Sequence, residues 1–146
     1  TGTRGNIMPE DTASQLNHVF VYGTLRRGED NDINQLLPSP RFLGVAQIAG
    51  TMYDLGAYPG VQLGGASIVL GEVYEISKEL ETVLDRIEEV YPQERDEYAK
   101  RMIPVLVLGR LFRCIVYEIN PRYVRGRTIL KGGDWARRRE GRECSR

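Results

Sequence analysis

The clearest helical period in this chain is confined to one short segment. Leu80, Val83, Leu84 and Ile87 recur at i, i+3, i+4 and i+7, the spacing of one buried helix face. Ser77 occupies the N-cap position, Glu79 and Glu81 suit the positive end of the helix dipole, and the helix ends before Pro92. Most of the rest reads as strand. Continuous alternation of strand and helix is absent, which argues against a doubly wound parallel sheet. The pattern predicts an α+β fold: a small curled mixed sheet or barrel with one clear amphipathic helix and one or two short helices.

The strands follow from composition and punctuation. His18 to Tyr22 is β-branched and aromatic and stops at Gly23. Gly28 to Asn34 is polar and turn-like, and a short helix is expected through Leu37, ended by Pro38 and Pro40. Arg41 to Leu55 reads as strand, break, strand, with Gly44 and Gly50 as punctuation, followed by a turn at Tyr58-Pro59-Gly60. Ala66 to Ile76 is a long apolar strand in which Gly71 predicts a bend or bulge. Tyr98 to Leu108 and Leu111 to Ile119 form a hairpin with its turn at Gly109-Arg110. After Pro121 the pattern fades, leaving Trp135 as the large apolar anchor of the tail.

A chain of 146 residues with 41% apolar side chains fits one domain with one real core. Three parts are expected: residues 1–17, disordered or left over from cloning, with Met8 as the initiator; a domain over 18–120; and a basic tail over 121–146, partly ordered around Trp135. Lys plus Arg and Asp plus Glu number 20 each, so no net charge draws the chain to nucleic acid or an anionic membrane. The tail carries nine Lys/Arg against three Asp/Glu. It is either a solvated terminus or a contact for RNA or an acidic partner; nucleic acid is not the expected partner. No apolar stretch is long enough to span a membrane and no leader segment is visible, so a cytoplasmic location is expected. Cys114 and Cys144 make neither a disulfide framework nor a zinc site.

The chemistry narrows by exclusion. His18 stands at a strand end without a nucleophile nearby in sequence, and it reads as a surface histidine. Gly23 and Gly28 have the spacing of a nucleotide-binding loop. The next residues, however, are Glu29 and Asp30 where Lys and Ser/Thr would be needed, and two carboxylates repel phosphates. The loop Tyr22-Gly23-Thr24-Leu25 is then either a simple turn or a nest of backbone N–H groups for a carboxylate or oxyanion. Among the helix acids, a step of about 100° per residue from Leu80 puts Glu88 near 80° and Glu81 near 100°, with Asp85, Glu79 and Glu89 pointing outward. Glu88 is thus the acid nearest the apolar stripe, at the negative end of the helix, where burial and dipole both raise a carboxyl pKa. It is either a proton-transfer group or a boundary glutamate with its head group in water. Tyr117 shares a face with Ile115 and Ile119, so its hydroxyl meets either a ligand or a core partner.

In order along the chain, these segments resemble the gamma-glutamylcyclotransferase-like family, closest to its small bacterial and gamma-glutamylamine cyclotransferase branch. The resemblance rests on Val19 to Gly28 with Asn31, on Gly50 to Leu55 with Tyr58-Pro59-Gly60, and on Gly71 to Ile76. It continues through Leu84-Asp85-Arg86-Ile87-Glu88, Tyr98 with Arg101, Tyr117 and Gly133-Asp134-Trp135. It implies a small β-barrel with a pocket at one end. The implied activity is cyclisation of a gamma-glutamyl amine or amino acid, releasing 5-oxoproline and the free amine, with no cofactor and no metal. By the same resemblance Glu88 is the catalytic acid/base, while Tyr22, Gly23, Thr24, Leu25 and Tyr117 bind substrate. The competing expectation is a non-catalytic small-molecule binding module of the same fold.

Overall fold

The computed structural model describes residues 16–29, 31–56, 58–87 and 98–135. The N-terminal segment with Met8, Glu88 and Glu89, Pro92, and the tail from residue 136 with Cys144 lie outside the described residues. Six strands form one curled mixed sheet: β1 (Asn17–Val21), β2 (Arg41–Asp54), β3 (Pro59–Ile76), β4 (Tyr98–Val107), β5 (Arg110–Ile119) and β6 (Thr128–Ile129). Their order is β4-β5-β1-β3-β2-β6. The β1–β5 pair is parallel, and the other pairs are antiparallel. Helix α1 (Lys78–Ile87) and two 3-10 turns, Ile33–Gln35 and Pro121–Tyr123, complete the elements among the described residues.

β1 lies between β5 and β3, so both its edges are paired, and its two faces enter two separate cores. That explains its unbroken apolar run. Phe20 and Tyr22 enter an inner core with Met52, Val69, Val73, Val116 and Trp135. Val19 and Val21 enter an outer core with Tyr74, Ile115, Tyr117, Leu80 and Leu84. Leu80 and Leu84 are fully buried, and each contributes roughly 2 kcal/mol of helix–sheet attachment. Ser77 caps α1 through its Oγ, which accepts from Leu80 N at 3.1 Å.

Several local expectations change. Arg41 to Asp54 is one strand, not two. Its pairing with β3 slips between Phe42 and Gly44, where Leu43 is the extra residue, and between Ala49 and Gly50. At the second slip the extra residues are on β3: Ala49 faces Ile68 while Gly50 faces Leu63, so Gly64 to Ser67 bulge outward. β3 therefore begins at Pro59, within the segment expected to be a turn. Gly71 marks no bulge, since it pairs regularly with Ala46. Its bare Cα admits the Val21 carbonyl and the Phe20 ring, which a Cβ would strike. The hairpin turn is Leu108-Gly109, with φ of 49° and 83°, as a two-residue turn matched to strand twist requires. Beyond Pro121 the chain adds β6, paired with Tyr53 and Asp54, and Trp135 is 5% exposed in the inner core.

Candidate functional site

The loop after β1 is braced along its length. The Gly23 carbonyl accepts from Arg26 N at 3.0 Å, Thr24 O from Asn31 N at 2.9 Å, and Leu25 O from Ile33 N at 2.8 Å. Asn31 Nδ2 adds a bond to Thr24 Oγ1 at 3.1 Å. The Asp32 carboxylate accepts from Gly28 N at 2.8 Å and Asn34 N at 2.9 Å. Burial pushes the Asp32 carboxyl up, but these bonds and the nearby Arg27 outweigh it and hold it below its usual 3.8.

Glu72, 7% exposed on β3, is the second brace. Its Oε1 accepts from Arg27 N at 3.0 Å and from the Tyr74 hydroxyl at 2.9 Å, and its Oε2 from Arg26 Nε at 3.2 Å. The same Arg26 reaches Asp134 with its second nitrogen at 2.8 Å. Burial first, with the neighbouring Glu72 adding to it, pushes the Tyr74 phenol up to about 12.

Against this bracing, three donors stand out. Among the described residues, no protein group accepts from the backbone N–H of Gly23, Thr24 or Leu25. Gly23 and Leu25 are buried and Thr24 is half-buried. Buried N–H groups are otherwise nearly always paired, and three in succession make a cradle for an anion.

Other elements converge on the loop. Pro59 covers Gly23 so closely that a Cβ there would lie 2.6 Å from Pro59 Cγ, and a Cβ on Gly60 would lie 2.8 Å from that of Ile119. The Tyr98 hydroxyl donates to the Pro59 carbonyl at 2.9 Å, and the Tyr22 hydroxyl donates to the Tyr117 carbonyl at 2.6 Å. The ends of β1 and β5 and the starts of β3 and β4 thus meet, bringing Tyr22, Gly23 and Tyr117 together. Arg101 turns instead to Glu118 at 3.0 Å, in a cleft shared with Tyr98 and Pro121.

Glu88 lies outside the described residues, directly after the last described residue of α1. The preceding acid, Asp85, corrects the helical-phase reading that placed it outward. Its side chain is only 15% exposed. Asp85 Oδ1 accepts from the Tyr117 hydroxyl at 2.8 Å and Oδ2 from Lys100 Nζ at 3.0 Å. Lys100 also pairs with Glu81, whose other oxygen accepts from Asn17 Nδ2 at 2.6 Å. The physical reason is reach: the long side chains of Lys100 on β4 and Tyr117 on β5 extend to the helix, so a position far from the apolar stripe still meets protein. Burial depresses the Lys100 ammonium, but the two carboxylates outweigh it and raise its pKa.

Sequence reasoning therefore missed Asp32, Glu72, Asp85 and Lys100. A carboxylate at position 72 between apolar β3 neighbours was the available signal for Glu72. For Lys100, flanked by Ala99 and Arg101, nothing local marked a role. Burial pushes the Cys114 thiol up to about 12, so it supplies no thiolate near neutral pH. Among the described residues no group of three or more His, Cys, Asp or Glu is placed to hold a metal, and no helix is long and apolar enough to cross a membrane.

The match to known proteins covers nearly all of this architecture. Residues 19–137 match the family described as gamma-glutamyl cyclotransferase, AIG2-like. A Vibrio cholerae protein named provisionally as a gamma-glutamylcyclotransferase is 34% identical over 122 residues, covering 82% of this chain and 96% of that one. The gamma-glutamylaminecyclotransferase of Bos taurus is 31% identical over 122 residues, covering 74% and 68%. Among solved structures, an AIG2-like protein from Mus musculus superposes with a TM-score of 0.67 at 25% identity, covering 83% of this chain and 88% of that one. Shared sequence over most of the chain and a shared curled sheet place it in one group: the chain belongs to the gamma-glutamyl cyclotransferase, AIG2-like family.

Proposed function

We propose that this chain cyclises a gamma-glutamyl amine or amino acid. The α-nitrogen attacks the γ-carbonyl carbon and a new C–N bond closes 5-oxoproline. The amide C–N bond breaks; the α-ammonium loses two protons in becoming the lactam N–H, one before the attack and one as the ring closes, and both end on the departing nitrogen, which leaves as an ammonium. The observation that supports this most is the cradle of Gly23, Thr24 and Leu25 N–H groups, which suits the α-carboxylate or the oxyanion developing on the attacked carbonyl. Tyr22 and Tyr117 adjoin it and position the substrate. Glu88 takes a proton from the α-ammonium and returns it to the leaving nitrogen, two transfers that meet at one carbon. Because the attack is intramolecular, holding the substrate bent supplies much of the rate.

Incubating the protein with a panel of gamma-glutamyl amines and peptides and assaying 5-oxoproline tests the reaction. Glu88→Gln should lower turnover by about a hundredfold or more. Unchanged release by that variant would remove Glu88 from the mechanism. Stabilisation by a ligand without any turnover would favour a binding module instead.

A further inference from the structure

The turn of the β4–β5 hairpin is apolar where nothing in the core requires it. Leu106 and Leu111 pair across the two strands and are 58% and 70% exposed, and Leu108 in the turn is 87% exposed. Exposed Val45 follows Gly44, where an added Cβ would lie 3.7 Å from Leu108 Cγ. Single exposed leucines are ordinary, but an apolar cluster with a polar rim marks an interaction surface. Leu108 also has a φ of 49°, a left-handed conformation that a bulky side chain adopts at a cost and asparagine or glycine adopts readily. Neither its exposure nor its backbone favours the folded chain.

Charge selects the partner. From Ala99 to Tyr117 the sequence has four Lys/Arg and no Asp or Glu. Lys100 and Arg101 are paired with Glu81, Asp85 and Glu118, but among the described residues no carboxylate pairs with Arg110 or Arg113. These two arginines are three residues apart on one strand, so they rim the leucines on opposite faces of the hairpin. We propose that this tip docks on an anionic lipid surface, the leucines entering the apolar boundary and the arginines meeting the headgroup charge. The chain carries no net charge, so the attraction is local to the tip. The turn stands clear of the sheet, since a Cβ on Gly109 would meet nothing within 4 Å; it offers a protrusion, not a groove for a peptide. Tip-to-tip pairing of two copies would set like charges together. β5 runs parallel to β1, so its first residue lies about 30 Å from Ile119 and from the end of the sheet that carries the Gly23–Leu25 loop. Docking therefore leaves the candidate site open, and the inference stands apart from the cyclisation reading.

Sedimentation of the full chain with vesicles tests this, using equimolar phosphatidylglycerol and phosphatidylcholine against phosphatidylcholine alone, at low and high salt. The parent should bind the anionic vesicles about tenfold more strongly and lose most of that preference at high salt. Leu108→Asn should weaken binding by about tenfold, the worth of burying one leucine. It should also melt at or above the parent temperature, because asparagine accepts the left-handed turn. Arg110→Gln combined with Arg113→Gln should remove most of the anionic preference with the leucines untouched. No sedimentation with either vesicle, or equal binding to both that neither variant alters, would overturn the proposal. So would a Leu108→Asn chain that melts well below the parent, which would make the leucine structural. A concentration-dependent mass in the ultracentrifuge without lipid, abolished by Leu108→Asn, would assign the tip to a second copy and overturn it as well.

Discussion

Glu72→Gln tests whether the loop is held in place by a buried carboxylate. Glu72 takes three donors: Arg27 N and the Tyr74 hydroxyl on one oxygen, Arg26 Nε on the other. Glutamine keeps one acceptor and converts the other into a donor. If its oxygen stays with Arg27 N and Tyr74, its NH2 faces the Arg26 guanidinium, donor against donor. Removing one partner of a buried ion pair costs about 3–5 kcal/mol. Arg26 still has Asp134 at 2.8 Å, so the cost falls to the bottom of that range or just below it, about 2–3 kcal/mol. For a domain of this size that is a fall in Tm of roughly 6–12 °C. Calorimetry reads it directly. An independent readout is the Tyr74 phenol, which sits at about 12 partly because Glu72 is next to it; in the variant it should titrate lower by ultraviolet absorbance. A melt within about 1 °C of the parent with an unmoved phenol would refute the bracing role, since surface-like substitutions lie in that range.

Gly23→Ala forces a methyl group to 2.6 Å from Pro59 Cγ. It should cost about 1–3 kcal/mol by thermal melt and depress 5-oxoproline release further, because the donors around it move. Asp32 is held below 3.8 in the folded chain. Its contribution is present above that pH and lost as pH falls through the folded value, so Asp32→Asn should flatten the acid limb of a stability–pH curve below about pH 4.

Local chemistry made much of the fold legible. The period of Leu80, Val83, Leu84 and Ile87, the Ser77 cap and the apolar run of β1 each report neighbours a few residues away, and each became the element expected. Pairing across the sheet was not legible. Gly44 and Gly50 read as strand ends because a glycine in isolation looks like a break. In the fold, the long partner β3 carries β2 through both places. β6 is two residues long and exists because Tyr53 and Asp54 lie beside it, a fact without local trace. In the candidate site the loop Tyr22 to Leu25 was readable as a glycine-ended strand. Asp85 was not, because helical phase counts only the face of the helix against the core, whereas the long side chains of Lys100 and Tyr117 reach it from neighbouring strands.

The bracing also explains why a loop of backbone donors can serve as a site at all. Free N–H groups on a mobile turn would bond to water or to the loop's own carbonyls. Here the carbonyls of Gly23, Thr24 and Leu25 are already taken by Arg26, Asn31 and Ile33 N–H groups. Arg26 and Arg27 are tied to Glu72, and Arg26 is tied again to Asp134, beside the buried Trp135. The tail segment itself is fixed by Leu70 N donating to the Gly133 carbonyl at 2.8 Å. The donors are therefore oriented before any ligand arrives, the condition under which such groups stabilise developing charge without reorganising. Residues 130–135 belong to the candidate site in this physical sense. They touch no substrate in the proposed reaction, yet they hold the one arginine that connects the loop to both β3 and the inner core.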